Sequence, residues 1–304
     1  MITYEKLRHK SQVFKSITGL TLPAFSKLVI SFRQAYETDL DQQDKQRKQP
    51  RQRQRGGGRK GELSTAEDKL VFILFYLRVY PTQILQGYLF GLSQPQANEW
   101  IHRLTPMLNQ ALGYEKQLPA RQARDIKAAL EACPGLEFII DGTERPIRRP
   151  KNPDNQKKYY SGKKKRHTIK NNVITDKRTR KIKGLSPTCE GKKHDKKLAD
   201  EQELEFPEGS KLSQDTGFQG YQPKNVTIIQ SKKKPKGREL SVEEKVQNTA
   251  ISRERIGVEH SIGGVKVYQI TRDIFRNLKE DFDDLVMETA CGLHNFRVDN
   301  PLSA

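Results

Sequence analysis

The hydrophobic period of this chain changes once, near Gly135, and that change limits the fold more than any other feature. Before it, apolar residues recur at helical spacing; after it, they fall into short runs and alternations that suit strands. Thr21 can cap a helix that opens with Leu22 and Pro23 and carries Phe25, Leu28, Val29 and Phe32 on one face. Ser64-Thr65-Ala66-Glu67 has the spacing of a capping box, and the stripe Leu70, Val71, Ile73, Leu74, Leu77 follows, closed by Pro81. A short helix fits Thr82 to Phe90, ended by Gly91, and Ser93 caps another that runs through Trp100 and His102. Helix, short helix, tight glycine turn and polar-faced helix is the pattern of a helix-turn-helix, although small helical bundles share it. Its exposed candidates for base contact are Gln94, Gln96, Asn98 and Arg103.

Beyond Gly135, LEFIID (136–141) is an apolar run ending in an aspartate, which predicts a buried central strand. HTIKNNVITD and RKIKGLSPTCEG alternate around Asp176-Lys177-Arg178-Thr179, which predicts two antiparallel strands and a turn. A helix is expected from His194-Asp195 with Leu198 and Leu204, then strands in KLSQDTG and NVTIIQS, then helix from Ser241 to Phe296. The sum is an all-α region followed by an α/β domain with a mixed sheet flanked by helices. The boundaries are a helical segment over 1–44, a basic flexible linker over 45–61, the helix-turn-helix over 62–112, a helical connector over 113–134 and the α/β domain over 135–298.

Charge narrows the function. Among 304 residues, 56 Lys and Arg oppose 37 Asp and Glu, a net +19, which points to an acidic polymer as partner. The excess is local. Lys45 to Lys60 holds eight basic residues, no acidic one and three consecutive glycines, a composition without a core. Gly142 to Lys183 holds sixteen basic residues and three acidic ones, Glu144, Asp154 and Asp176. A membrane-spanning segment is excluded by the lack of any run of 18 apolar residues, and MITYEKLRHK lacks the apolar stretch of a signal peptide, so a cytoplasmic protein is expected. Cys133, Cys189 and Cys291 are odd in number and form no CxxC pair, which argues against a disulfide framework and a structural zinc site.

Within this basic background, isolated acidic residues at strand ends are the informative ones. Asp141 and Asp215 each end a strand, and Glu259 lies in a helical segment. A carboxylate at the end of a buried strand is costly unless it meets a cation or donors. Three that converged would make an oxygen site suited to magnesium, whereas any one alone reads equally as a cap or an ion-paired carboxylate. Asp195 is a further acidic candidate, but just inside a helix start it reads as a cap or dipole partner rather than as a fourth ligand.

IIDGT (139–143), YSGKKKRHT (160–168), HD (194–195), QDTGFQGY (214–221) and RIGVEHSIGGVK (255–266) follow one another in an order that resembles the DDE transposases. The chain is most similar to the Harbinger-like endonucleases and the bacterial insertion-sequence-five group, over about residues 62–298. The resemblance implies a ribonuclease-H-like fold with Asp141, Asp215 and Glu259 as catalytic, metal-binding triad, and phosphate-binding roles for Arg255 and Lys266. On a helix these fall at about 0°, 40° and 20° for Arg255, Glu259 and Lys266, one stripe with a carboxylate between two cations. Two departures stand out: Ser252 replaces the tyrosine usual before the arginine, and Gly263-Gly264 would weaken the helix by about 1 kcal/mol each.

The implied activity is metal-dependent phosphoryl transfer: two Mg²⁺ ions, with Mn²⁺ as substitute, activate water and stabilise the leaving oxygen, and the freed 3′-hydroxyl attacks target DNA. Lys163, Lys164, Lys165, Arg166 and His167 are placed to hold the DNA backbone beside that site. The implied partners are the terminal inverted repeats of a mobile element, target double-stranded DNA and further copies of the chain in a synaptic complex, in the cytoplasm of a bacterium and on its nucleoid. No membrane and no nucleotide cofactor are expected, because GGGRKGE and SGKKKRH lack the phosphate-loop spacing. The alternative is a catalytically inactive, transposase-derived DNA-binding protein or regulator. An RNA-associated basic protein is disfavoured by basic runs with few aromatics beyond Tyr159 and Tyr160.

Overall fold

The computed structural model describes residues 1–49, 61–234, 237 and 239–301, without the side chains of 254–258. Most of the expected basic linker, 50–60, therefore lies outside the described residues. Two compact units emerge: Met1–Leu118 with Val267–Thr271 and Leu285–Ala304, and Pro119–Lys266 with Arg272–Asp284.

The first unit is all helical. It comprises α1 (Tyr4–Leu7), α2 (Ser11–Thr18), α3 (Leu22–Lys45), α4 (Ala66–Val79), α5 (Gln83–Phe90) and α6 (Gln94–Tyr114). Thr21 caps α3 through the Ala24 amide, as its position before Leu22-Pro23 requires. The cap of α4 is Thr65 rather than Ser64: its Oγ1 accepts from the Asp68 amide at 3.0 Å and donates to the Asp68 carboxylate at 2.7 Å. Asp68 serves because its shorter side chain meets the threonine directly, and the expected Ser64–Glu67 box shifts by one residue. Leu70 to Leu77 are all buried, so α4 is the unit's central helix. Gly91, in the left-handed region at φ 73°, ends α5, and a complete capping box between Ser93 and Gln96 opens α6. These three helices form the expected helix-turn-helix.

The second unit holds α7 (Ala123–Glu131), β1 (Glu137–Pro146), α8 (Pro153–Tyr159), β2 (Tyr160–Ser161), β3 (Arg166–Asp176), β4 (Ile182–Leu185), β5 (Cys189–Glu190), α9 (Asp195–Asp200), β6 (Glu205–Gln214), β7 (Lys224–Gln230) and α10 (Val242–Lys266). Strand β1 pairs antiparallel with β3 and parallel with β6; β4 extends the β3 side and β7 the β6 side. The order β4-β3-β1-β6-β7, with the first three strands antiparallel and the last two parallel to β1, is the ribonuclease-H-like sheet expected from the sequence. Phe138 and Ile140 of β1 face a core with Ile126 and Leu130 of α7, Ile174, Leu212 and Phe218.

Three expectations need correction. Strand β1 does not stop at Asp141 but runs on to Pro146, because Gly142 to Pro146 keep pairing with Asn172 to Thr168. The helix at His194 is only six residues long, and Leu204 lies beyond it in the turn before β6. Helix α10 runs through Gly263-Gly264 to Lys266, a continuity compatible with the expected weakening. The last helix, α11 (Phe282–Asp299), sits from Leu285 onward in the helical unit rather than in the α/β unit. There Val286, Met287, Ala290, Leu293 and Phe296 are buried, and Asn295 donates to the Gln117 carbonyl at 2.8 Å.

Candidate active site

The site is built by strand register. Ile140 pairs with Gln214, the last residue of β6, so Asp141 and Asp215 stand one step further along two neighbouring parallel strands, about 4.8 Å apart in strand spacing. Alternation sends Phe138 and Ile140 into the core and turns Asp141 to the opposite face, that of Thr143 and Arg145. Each aspartate is held by the glycine that follows it. Asp141 Oδ1 accepts from the Gly142 amide at 2.9 Å, and Asp215 Oδ1 accepts from the Gly217 amide at 2.7 Å, capping the short 3₁₀ turn Thr216–Phe218. Both carboxylates are half-buried.

Lys266, at the end of α10, is also half-buried. Burial and the nearby Lys164 ammonium lower its pKa, while Asp141 and Glu144 oppose that shift, so this lysine lies within electrostatic reach of the Asp141 carboxylate. Lys164 belongs to the tip of the β2–β3 hairpin, where Lys163, Lys164, Lys165 and Arg166 are all exposed and the Lys164 amide donates to Ser161 Oγ at 3.2 Å. His167 is half-buried, its ring edge-on to Tyr160 at 5.6 Å. The Lys164 ammonium and the Asp141 carboxylate thus both act electrostatically on Lys266.

Glu259 is exposed on α10. Among the described residues, no three carboxylate, histidine or cysteine side chains are grouped closely enough to hold a metal ion, so Glu259 is not gathered with Asp141 and Asp215 here. The Arg255 side chain lies outside the described residues. The donor chemistry of Asp141 and Asp215 fits a hard divalent cation: two carboxylates in register, each with one oxygen engaged by a backbone amide.

The reverse face of the sheet carries residues that charge counting conceals. Lys170 Nζ lies 2.9 Å from Asp195 Oδ1 and 3.7 Å from Glu144 Oε1, with all three side chains largely buried. Thr168 Oγ1 donates to the other Glu144 oxygen at 2.8 Å, and Asn172 Nδ2 donates to the Asp195 carbonyl at 2.9 Å. Asp195 thus enters an ion pair with Lys170, and His194 rather than Asp195 occupies the N-cap position of α9. The signal that could have found Lys170 is the run Lys170-Asn171-Asn172 at the centre of a strand, a polar stretch where alternation demands burial.

In the helix-turn-helix, Gln94 and Gln96 are exposed and Asn98 is half-buried. Gln94 donates to Gln83 at 2.7 Å, and Gln96 is spent in the capping box. Arg103 pairs with Asp39 at 3.1 Å, and its guanidinium sits over both the Tyr36 and Trp100 rings, an arrangement that braces α6 against α3. Exposure on the turn-facing end of α6 is thus retained by Gln94 and Gln96, not by Arg103.

Comparison with known proteins agrees with this geometry. Residues 140–295, about half of the chain, match the DDE superfamily endonuclease family, and residues 61–113 match the helix-turn-helix of DDE superfamily endonucleases. Over 288 residues the chain is 29% identical to a protein of Microchaete diplosiphon described as a probable transposase for insertion sequence element IS702, with 94% of each chain covered. No solved structure matches.

Proposed function

From the premise that the chain belongs to the DDE superfamily of endonucleases, we propose that it is a DNA transposase of the Harbinger-like, insertion-sequence-five type. It binds the terminal inverted repeats of its mobile element through the helix-turn-helix and catalyses metal-dependent strand cleavage and strand transfer. The observation that carries this reading is the pair Asp141 and Asp215, in register on parallel strands and each oriented by a glycine amide. Dependence on a divalent metal is general in this superfamily, and Asp141, Asp215 and Glu259 would hold Mg²⁺ or Mn²⁺. When bound, the metal lowers the pKa of a coordinated water and neutralises charge on the leaving oxygen.

The chain's own residues do the rest. The Gly142 and Gly217 amides fix one oxygen of each aspartate and so direct the carboxylates. Lys163, Lys164, Lys165 and Arg166 offer exposed cations to the phosphodiester backbone, with His167 beside them. Lys266, its pKa lowered by burial, supplies a poorly hydrated cation within electrostatic reach of Asp141, and Arg255 would act on the same stripe of α10, nearer its start. Gln94, Gln96 and Asn98 are proposed to read the repeat sequence, with Arg103 bracing the helix. Several copies would assemble on paired element ends, in a bacterial cytoplasm.

The second reading, an inactive transposase-derived DNA-binding protein, is favoured by one observation, the separation of Glu259 from the aspartate pair. One experiment decides. DNA carrying the element's ends is incubated with Mg²⁺ and wild type, Asp141→Asn, Asp215→Asn or Glu259→Gln. Cleavage by wild type alone supports the transposase. Equal cleavage by the variants removes the assigned site, and binding without cleavage by wild type supports the second reading.

A further inference from the structure

Asp195 lies against the glycine that follows each half of the candidate catalytic pair. A Cβ built on Gly142 would lie 2.9 Å from both Cγ and Oδ1 of Asp195. A Cβ built on Gly217 would lie 3.2 Å from Asp195 Oδ2 and 2.9 Å from Asp215 Oδ1. These are the two glycines whose amides hold Asp141 and Asp215. One carboxylate therefore fills the space left by two absent side chains, with Oδ2 at 3.2 Å from both Cβ positions.

The Asp195 carboxylate is held by one ion pair, and its backbone by one hydrogen bond. Lys170, 6% exposed, grips Oδ1 at 2.9 Å, and Lys170 is countered on its other side by Glu144. Asn172 holds the Asp195 backbone through its carbonyl. Lys170 and Asn172 lie on β3, the strand paired with β1 on the side away from β6, and Lys170 stands opposite Glu144 in that register. Asp195 is thus clamped to β3 and lies against Gly142 in the middle of β1 and Gly217 in the turn after β6.

We propose that Asp195 is a positioning residue for metal binding: seated on Gly142 and Gly217 and pinned by Lys170, it sets the separation and orientation of Asp141 and Asp215. The proposal rests on the transposase reading of that pair. It explains why glycine occurs after each aspartate: a side chain at 142 or 217 displaces the wedge. Loss of a group that orients metal ligands from behind lowers metal affinity by about 10- to 100-fold.

The test measures Mn²⁺ affinity of the full chain by electron paramagnetic resonance, free of DNA, beside thermal unfolding without metal. Wild type, Asp141→Asn, Asp195→Asn, Asp195→Ala and Gly142→Ala are compared. The expected result is an Mn²⁺ Kd raised about tenfold or more in Asp195→Ala and Gly142→Ala, with Asp195→Asn between them and wild type. Gly142→Ala leaves every charge in place, so it reads displacement of Asp195 alone and serves where Asp195 variants fail to fold. A purely structural Asp195 would lower the unfolding temperature and leave Kd of the folded protein unchanged; Kd within twofold of wild type in Asp195→Ala and Gly142→Ala overturns the proposal. If Asp141→Asn also binds as wild type does, the assignment of the pair falls and the proposal falls with it.

Discussion

Arg145 belongs by sequence to the basic belt of residues 142–183, yet it is fully buried. Its guanidinium donates to the Asp283 carbonyl at 2.9 Å, Asn171 Oδ1 at 3.0 Å and Thr188 Oγ1 at 3.2 Å. Thr188 in turn donates to Asp284 at 2.7 Å, and Asp284 pairs with Arg121. Arg145→Met deletes the hub. The single Thr188 hydroxyl proton is committed to Asp284, and Thr188 Oγ1 still accepts from Asn171 Nδ2 at 2.9 Å, so two acceptors, the Asp283 carbonyl and Asn171 Oδ1, lose their donor. At about 1–3 kcal/mol for each buried acceptor left without its donor, less about 1 kcal/mol recovered by apolar burial, the expected cost is about 3 kcal/mol. For a unit of this size that lowers Tm by about 10 °C, read by calorimetry. The same variant should leave the salt dependence of DNA binding unaltered, because a buried guanidinium neutralises no phosphate. A loss below about 1 kcal/mol, or a shallower salt slope, would refute the reasoning.

Two further outcomes separate surface from core. Replacing Lys163, Lys164 and Lys165 together by Ala should flatten the slope of log affinity against log salt by about 2 to 3, with thermal stability unchanged, since all three side chains are exposed; an unaltered slope would remove the hairpin from the DNA interface. Tyr268 is fully buried with no hydrogen-bond partner for its hydroxyl among the described residues, and burial pushes its pKa up to about 12 against the opposing pull of Arg297 and Arg78. A raised folded pKa gives stability that is complete below pH 10 and is lost as pH rises through about 12, a drop of about 2–3 kcal/mol that Tyr268→Phe should abolish; parallel profiles for the two proteins would contradict this.

The contrast between Arg145 and the lysine hairpin shows what the sequence could convey. The mixed sheet, the helix-turn-helix and the placement of Asp141 and Asp215 on or beside strands were legible, because each depends on local period and on the chain order of a few motifs; the strand order and the pairing of β1 with β6 that makes the two aspartates neighbours were not. Sixteen basic residues in one segment were legible only as a sum. Which of them face water follows from the sheet rather than from alternation: Arg145 and Lys170 lie on opposite faces of the β1–β3 pair and both are buried, whereas the hairpin tip is exposed.

Asp195 was the hardest to place, for a physical reason. Its helix start at His194-Asp195 invites a capping role, since an aspartate there interacts with free amides whatever lies beyond the helix. The role the structure supports instead needs three strands at once: β3 to supply Lys170 and Asn172, β1 to supply Gly142, and the turn after β6 to supply Gly217. No window of sequence contains all four, and the two glycines contribute only by lacking side chains. A carboxylate defined by two absences and a buried lysine has no local signature. It becomes visible when the sheet brings the Asp141 and Asp215 strand ends together, which is also the condition for that pair to bind a metal.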